Sequence, residues 1–250
     1  MFKEKLAFVT GASSGIGWEL AFKLKQEGFH LGLFARRLNQ LESLKQKLAG
    51  INNLDVEVFE CDVAKKESVH QAFSRAFEKL GSPYLLVANA GMGGSTSVRS
   101  FDTEMMASIL QTNVMGVIYS ISEVLPSMLE NKRGHIVGIS SLAAYRSFPY
   151  THAYSASKSA LSAHLQGLAL ELSPHGVKVS TICPGFIRTP MTASNKFSMP
   201  FLMDADQAAK KIMCAIKKEK KVYNFPWQTY LLVKAASVLP SSFVAKKAKK

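Results

Sequence analysis

The chain has 250 residues, 47% of them apolar and 20% charged, so it is long enough to bury the core of one large folded domain. Its 31 basic and 18 acidic residues give a formal net charge of +13, but the basic residues form no RNA- or DNA-binding motif, and we expect no nucleic-acid partner. Cys61, Cys183 and Cys214 lack the spacing of metal ligands, which predicts reduced thiols, no metal site and a cytoplasmic protein.

The chain begins with a strand-like run, a glycine-rich turn and a helical pattern. The apolar run covers residues 6–10, the turn residues 11–17 and the helical pattern residues 18–27. Strand, turn and helix in this order place backbone N–H groups and the positive end of a helix where a pyrophosphate can bind. The sequence therefore predicts nucleotide binding by the turn, through Gly11, Ser13, Ser14, Gly15, Ile16 and Gly17.

Two arginines follow the second apolar run, residues 30–35. In a dinucleotide-binding fold, an acidic residue at the end of the second strand binds the 2′-hydroxyl of the adenosine ribose, whereas an arginine accepts a 2′-phosphate. Residues 33–39 contain no Asp or Glu, and Arg36 and Arg37 occupy this position. We therefore predict NADP(H) rather than NAD(H) as the cofactor, chiefly through Arg36. The alternative, that the arginines simply begin a solvated helix, applies most to Arg37.

Strand-like runs at residues 55–60 and 84–88 alternate with helical patterns, which indicates crossover connections and a parallel sheet. Asp62 follows the first of these runs, and Asn89 follows the second. Since the carboxyl ends of parallel strands line a ligand crevice, both residues are candidates for cofactor binding. Asp62 could equally cap a helix, and Asn89 could be a turn residue.

The helical region predicted over residues 101–129 contains Asn113 at its centre. Asparagine is a below-average helix former, so its position indicates either a local bend or a specific hydrogen bond. The next predicted strand, residues 135–139, is followed at its carboxyl end by Ser140 and Ser141.

Tyr154 and Lys158 are four residues apart in a helical pattern that runs to about residue 172, so their side chains share a face of the helix. An ammonium beside a phenol favours the phenolate and moves the pKa of the tyrosine toward neutral pH, where it can exchange protons. Taken alone, the spacing is more typical of a surface pair on a solvated helix.

In this order, the motifs resemble those of the short-chain dehydrogenase/reductase family in its compact single-domain form. The resemblance covers about residues 5–226 and rests on residues 10–17, Asp62-Val63, Asn89-Ala90-Gly91, Asn113, Ser141, Tyr154, Lys158 and Pro184-Gly185. It implies an α/β fold with a doubly wound, Rossmann-type, mostly parallel seven-stranded sheet and helices on both faces, in a single domain over residues 1–226. It also implies a homodimer or homotetramer.

The resemblance further implies an NADP(H)-dependent oxidoreductase that transfers hydride between nicotinamide and a carbonyl or secondary alcohol. The resemblance implies that Tyr154 is the general acid or base and that Lys158 lowers its pKa and binds the nicotinamide ribose. It implies that Ser141 polarises the substrate oxygen. The backbone of Asn113 would hold a water. The implied cofactor contacts are Asp62 and Val63 at the adenine, Asn89, Ala90 and Gly91 along the cofactor, Arg36 with Arg37 or Ser13 at the 2′-phosphate, and Pro184, Gly185, Ile187 and Thr189 at the nicotinamide. The alternative is a catalytically silent nucleotide-binding protein, which would lack at least one of the tyrosine, the lysine and the serine.

A segment after the predicted nicotinamide contacts bears on the substrate. About residues 190–204 match the family's mobile lid, and their methionines and phenylalanines predict a hydrophobic substrate, to which Tyr145, Phe148 and Tyr150 would add aromatic surface. The alternative that these side chains only fill the core is equally open.

The C-terminal extension, residues 227–250, is apolar and aromatic and ends in lysines. Such a segment can lie on an anionic membrane surface. We favour the alternative that it packs as a helix across a subunit interface or beside the substrate mouth, because a short helix needs a partner surface.

Overall fold

The computed structural model of the protein describes residues 2–193, 195 and 197–238. Seven strands in these ranges form one sheet, in which every pair of neighbours is parallel. Helices cover both faces of the sheet. The predicted single-domain α/β fold, with its doubly wound seven-stranded sheet, is therefore confirmed.

Strands and helices alternate along most of the chain. The strands are β1 Phe2–Thr10, β2 His30–Ala35, β3 Val56–Glu60, β4 Ser82–Ala88, β5 Gly134–Ile139, β6 Val177–Pro184, β7 Ile187–Arg188, β8 Met203–Asp204 and β9 Val222–Phe225. The helices are α1 Gly15–Gln26, α2 Leu38–Ala49, α3 Lys66–Leu80, α4 Thr103–Leu110, α5 Gly116–Glu130, α6 His152–Leu172, α7 Ala205–Lys217 and α8 Trp227–Val238. The order in the sheet is β3-β2-β1-β4-β5-β6-β9, and β7 pairs separately with β8.

The direction in which the chain builds the sheet reverses between β1 and β4. From β1 the chain moves outward to β2 and β3, and it then returns to β4 on the other side of β1. Connections leave this pair of strands in opposite directions, so a ligand crevice forms at their carboxyl ends. The residues that follow β1 and β4 therefore face each other across this crevice.

Two hydrophobic cores lie on opposite faces of the sheet, since successive residues of a strand point to opposite faces. In β1, Ala7 and Val9 belong to the core under α1, α2 and α7, whereas Phe8 belongs to the core under α3, α5 and α6. The Phe8 ring lies 5.2 Å from the ring of Phe34 and 5.7 Å from that of Phe73. A shift of one residue would exchange the two faces, so this packing sets the strand register and with it the positions of the residues at the strand ends.

The long helical region predicted over residues 101–129 is interrupted near its centre. Helices α4 and α5 are joined by a π-helical turn, Gln111–Met115, which contains Asn113. Such a turn carries one extra residue in the helical path and often marks a functional site. Among the described residues, no helix is long and apolar enough to cross a membrane.

Candidate active site

The glycine-rich turn after β1 adopts backbone conformations that require glycine. Gly11 has φ +67° and Gly15 has φ +59°, in the left-handed region that residues with a Cβ atom disfavour. A Cβ atom on Gly11 would lie 2.7 Å from Cα of Ala90, and one on Gly17 would lie 2.5 Å from Nδ2 of Asn89. The turn therefore passes against the end of β4 with no room for side chains, and α1 begins directly behind it.

Two polar side chains join this turn to the residues that follow β4. Oγ1 of Thr10 accepts hydrogen bonds from the N–H groups of Asn89 and Ala90, each at 3.1 Å. Nδ2 of Asn89 donates to the carbonyl oxygens of Thr10 and Gly11 at 3.0 and 3.2 Å. Asn89 thus holds the turn in place. Thr10 is absent from the predicted site residues, and its only signal is a hydroxyl at the last position of an apolar strand.

The two arginines after β2 have different surroundings. Nη2 of Arg37 donates to the hydroxyl of Ser13 at 2.9 Å and to that of Ser14 at 2.8 Å, so its guanidinium lies on the glycine-rich turn. Arg36 is exposed. The guanidinium and the two hydroxyls form a group of donors suited to a phosphate, and Arg37 rather than Arg36 is its centre.

Asp62 and Val63 shape the segment between β3 and α3. Oδ1 of Asp62 accepts a hydrogen bond from the N–H of Ala64 at 3.2 Å. The N-cap position of α3 is Lys65, so the alternative that Asp62 caps this helix is wrong. Val63 is buried against the start of α5, where a Cβ atom on Gly116 would lie 2.8 Å from its Cγ2. The two residues thus fix the path of the chain at the carboxyl end of β3.

Asn113 is fully buried and ties the π-helical turn to the segment after β4. Its Oδ1 accepts from the N–H of Met92 at 2.8 Å, and its Nδ2 donates to the carbonyl of Met92 and to Oγ of Ser157, both at 2.9 Å. A Cβ atom on Gly91 would lie 3.1 Å from Oδ1 of Asn113 and 3.5 Å from Nζ of Lys158. The specific hydrogen bond predicted for Asn113 is present, and Gly91, Asn113 and Lys158 lie together.

Tyr154 and Lys158 both lie on α6, and Lys158 is only 4% exposed, so the alternative of a solvated surface pair is wrong. Nζ of Lys158 donates to the carbonyl oxygen of Ile139 at 2.8 Å and lies 5.8 Å from the centre of the Tyr154 ring. Burial lowers the pKa of Lys158 to about 8. Burial raises the pKa of Tyr154, and hydrogen bonding with Ser141 acts in the opposite direction. The lowering of the tyrosine pKa by Lys158 stays a prediction.

The two serines after β5 have different partners. Oγ of Ser140 donates to the carbonyl of Lys158 at 3.0 Å and lies 2.7 Å from Oγ of Ser162, so it anchors α6 to the sheet. Oγ of Ser141 accepts from the N–H of Ala143 at 3.1 Å and caps a short 3₁₀ turn. Oγ of Ser141 also donates to the carbonyl of Pro184 at 3.5 Å, and hydrogen bonding with Ser141 influences the pKa of Tyr154, which fits the choice of Ser141 as the site hydroxyl.

The segment after β6 runs back toward the glycine-rich turn. Beyond Pro184, which ends β6, the N–H of Gly185 donates to the carbonyl of Phe225 at 2.7 Å. The side chain of Ile187 is buried in the core. A Cβ atom on Gly15 would lie 3.0 Å from Cγ2 of Thr189, so Thr189 lies against the turn. Residues 184–189 therefore connect the end of β6 with the turn after β1.

Helix α8 packs beside the 3₁₀ turn that Ser141 caps. The hydroxyl of Tyr145 donates to Oδ1 of Asn224 at 3.0 Å, and its ring lies 5.6 Å from that of Tyr230 on α8. A Cβ atom on Gly185 would lie 3.3 Å from Cγ2 of Thr229, also on α8. This packing agrees with the favoured interpretation of the extension. Asn224 and Tyr230 were not predicted as neighbours of the site, because no local pattern relates them to Tyr145.

The arrangement fits a nicotinamide dinucleotide. The backbone of the glycine-rich turn and the start of α1, whose first turn carries no acidic residue, form a cradle suited to a pyrophosphate. Arg37 provides donors beside one end of this cradle. Lys158 and Tyr154 provide N–H and O–H groups at the carboxyl end of β5, beyond the other end of the cradle.

Comparisons with known proteins agree with this geometry. A family model described as short chain dehydrogenase matches residues 5–198. An uncharacterized oxidoreductase of Myxococcus xanthus is 40% identical over 237 residues, which are 95% of this chain and 93% of that protein. The structure of an alcohol dehydrogenase from the archaeon Thermococcus sibiricus, complexed with 5-hydroxy-NADP, has a TM-score of 0.80 and 28% identity, covering 89% of this chain and 95% of that one. An actinorhodin polyketide ketoreductase with NADPH has a TM-score of 0.81 and 26% identity, covering 90% and 97%.

Proposed function

The chain belongs to the short-chain dehydrogenase/reductase family and is an NAD(P)-dependent oxidoreductase, and we propose that it transfers hydride between NADP(H) and a carbonyl or secondary alcohol with Tyr154 as the general acid or base. The observation that carries the proposal is the convergence of three groups at the carboxyl end of β5. Ser141 caps the turn that follows β5. Nζ of the buried Lys158 lies 2.8 Å from the carbonyl oxygen of Ile139, which ends β5, and 5.8 Å from the centre of the Tyr154 ring.

In the proposed reaction the bound nicotinamide supplies or accepts the hydride. During carbonyl reduction, Tyr154 donates its phenolic proton to the substrate oxygen as negative charge develops there. Ser141 donates a hydrogen bond to the same oxygen and stabilises that charge. Lys158 binds the ribose hydroxyls and offsets the charge that the tyrosine gains when it loses its proton. In alcohol oxidation the same residues act in reverse, with the phenolate as the base.

The preference for NADP(H) over NAD(H) is supported by charge and donor geometry. Arg37 with Ser13 and Ser14 presents several donors beside the glycine-rich turn. No acidic side chain is present in residues 33–39 to repel a 2′-phosphate or to bind a 2′-hydroxyl. The relatives solved with 5-hydroxy-NADP and NADPH favour the same choice.

A hydrophobic substrate is supported by apolar side chains around the site. The two ends of the proposed lid, residues 190–204, are joined where β7 pairs with β8. Between them, Phe197 and Phe201 are half-exposed, and so is Tyr150 on the chain before α6. The core-filling alternative does not suit these three side chains. Ser194 and Lys196 lie outside the described residues of this segment.

The direct test is a screen of NADPH consumption with aldehydes, ketones, quinones, steroids and 3-oxoacyl compounds, with NADH in parallel. We expect at least one apolar carbonyl compound to be reduced, and NADPH to be used in preference to NADH. Equal use of NADH would contradict the cofactor preference. Tight NADPH binding without turnover of any compound in either direction would favour the alternative, a catalytically silent nucleotide-binding protein.

The cytoplasmic location and the homodimeric or homotetrameric assembly expected from the family also remain proposals. A mass measurement of the purified chain in solution tests the second of them, and a monomer at micromolar concentration would contradict it.

A further inference from the structure

Helix α8 packs through one face and leaves the other exposed. On the packed face, Thr229 is 4% exposed and Tyr230 contacts Tyr145. On the other face stand four large apolar side chains that are at least half exposed: Trp227 at 66%, Leu231 at 55%, Leu232 at 55% and Val238 at 83%.

Helix α8 exposes more apolar surface than an ordinary surface helix does. An ordinary surface helix turns its apolar stripe toward the core and its polar residues toward water. In α8 the exposed face carries a tryptophan, two leucines and a valine, and Thr229 is turned inward. The ammonium of Lys234 lies 4.8 Å from the centre of the Tyr145 ring, on the packed side. A contiguous exposed apolar surface of this kind marks an interaction site.

The charge of the surrounding sequence identifies the partner that fits this face. Glu219 is the last acidic residue of the chain. The 31 residues after it contain seven lysines and no acidic residue, and the lysines are Lys220, Lys221, Lys234, Lys246, Lys247, Lys249 and Lys250. Residues 239–250, which include the last four of these lysines, lie outside the described part of the chain. An apolar helix face followed by a lysine cluster complements a surface that is both apolar and negatively charged.

We propose that α8 and the lysines that follow it attach the protein to the surface of an anionic lipid bilayer. Leu231, Leu232 and Val238 enter the boundary between headgroups and acyl chains, and Trp227 lies at headgroup level, where its ring is favoured. The lysines bind the acidic headgroups. A second copy of α8 fits the face less well, since the residues after Glu219 include no acidic partner for the lysines.

The position of α8 gives this attachment a consequence for the substrate. The packed face of α8 contacts Tyr145 and Gly185, which follow Ser141 and β6 at the site. The mouth of the site would therefore open beside the lipid surface, and an apolar substrate could enter from the bilayer. This consequence rests on the proposed function, whereas the attachment itself does not.

Vesicle flotation of the full-length protein loaded with NADPH tests the attachment. The vesicles are pure phosphatidylcholine or phosphatidylcholine mixed with phosphatidylserine. We expect flotation with the mixed vesicles, little with the neutral ones, and loss of flotation at high salt. The double variant L231N/L232N should lower the bound fraction at least about tenfold, because it removes two inserted leucines.

A matched control and a charge variant complete the test. Leu170→Asn makes the same change at a leucine on α6 that is 78% exposed, and it should float like the wild type. Replacing Lys246, Lys247, Lys249 and Lys250 by Gln should lower binding to the mixed vesicles at least about tenfold without changing NADPH affinity.

Three results would overturn the attachment. The first is absence of flotation of the wild type with either kind of vesicle. The second is an equal loss of flotation in L170N and in L231N/L232N. The third is a wild-type protein that does not float but forms a dimer in solution, while the variant L231N/L232N is a monomer by mass measurement. That result would assign the exposed face of α8 to a second copy of the chain. NADPH consumption is measured in the same samples, so failure of the proposed reaction is seen separately from failure to float.

Discussion

The two ends of the proposed cofactor site, the catalytic end and the adenosine end, differ sharply in their exposure to water. At the catalytic end, Asn113, Ser141 and Lys158 are 0%, 9% and 4% exposed. At the adenosine end, Arg36 and Arg37 are both exposed. Electrostatic interactions are strong in a desolvated site and are screened at the surface, so groups at the catalytic end should each affect function or stability more than groups at the adenosine end.

The largest effect is expected at Tyr154. Tyr154→Phe removes the proposed proton donor and should lower kcat/KM at least about a hundredfold, the usual scale for general acid catalysis. NADPH affinity should stay nearly unchanged, as measured by the fluorescence of bound NADPH. Tyr84→Phe, at a tyrosine near the start of β4 and away from the strand ends that form the site, is the matched control and should keep its rate. Near-normal turnover in Tyr154→Phe would remove the tyrosine from the mechanism.

Lys158 should make stability depend on pH. Burial lowers its pKa to about 8, from 10.5 for an ordinary lysine, so above pH 8 the folded protein releases a proton that the unfolded chain keeps. The free energy of unfolding should therefore rise with pH across this window, by up to about 3 kcal/mol from this group.

The comparison that isolates this contribution is urea unfolding of the wild type and Lys158→Met from pH 7 to pH 10. Burial raises the pKa of the Cys61 thiol, which gives a slope of opposite sign in both proteins and cancels in the difference. The thiol of Cys183 interacts electrostatically with Lys158, so both proteins carry Cys183→Ala in this comparison. Parallel pH profiles for the two proteins would mean that Lys158 is not desolvated in solution.

A smaller effect on stability is expected at Asn113. Asn113→Ala leaves the N–H and the carbonyl of Met92 without their partner, which should cost about 1–3 kcal/mol of unfolding free energy. Asn131→Ala removes an exposed hydrogen bond at the end of α5 and should cost less than about 1 kcal/mol. Equal losses in the two variants, measured by urea unfolding, would contradict the structural importance of the π-helical turn.

The smallest effect is expected at the exposed end. Arg37→Ala should lower the ratio of kcat/KM for NADPH over NADH by about tenfold, the scale of one charge-assisted contact. Arg36→Ala is the matched comparison and should lower the ratio less, since Arg37 is the arginine that lies on Ser13 and Ser14. The reverse ranking would restore Arg36 as the residue that reads the 2′-phosphate.

Two features were not predicted from the sequence: the exposure of the apolar side chains of α8, and which of the two arginines lies on the glycine-rich turn. Parallel strands bring their carboxyl ends to one edge, so Asn89, Ser141 and the glycine-rich turn could be grouped from their positions after apolar runs. Neighbouring residues in a turn point in different directions that depend on tertiary contacts, so the preference for Arg36 over Arg37 rested on the family resemblance and not on the local pattern.

Contacts between residues that are distant in the sequence could not be predicted either. The hydrogen bond from Tyr145 to Asn224 spans 79 residues and follows no local periodicity. The pKa of Lys158 depends on its burial, which the spacing of Tyr154 and Lys158 alone did not reveal. For Asn113 the sequence predicted either a local bend or a specific hydrogen bond; the hydrogen bond is present, and the π-helical turn that contains Asn113 was not predicted.

The most direct test of hydride transfer uses NADPH that carries deuterium in both C4 positions, together with the best carbonyl substrate from the screen. We predict that mass spectrometry finds one deuterium in the alcohol product, on the former carbonyl carbon, and that Tyr154→Phe forms at least about a hundredfold less of this product in the same time. An unlabelled alcohol, or NADPH consumption without any alcohol, would contradict the proposed reaction.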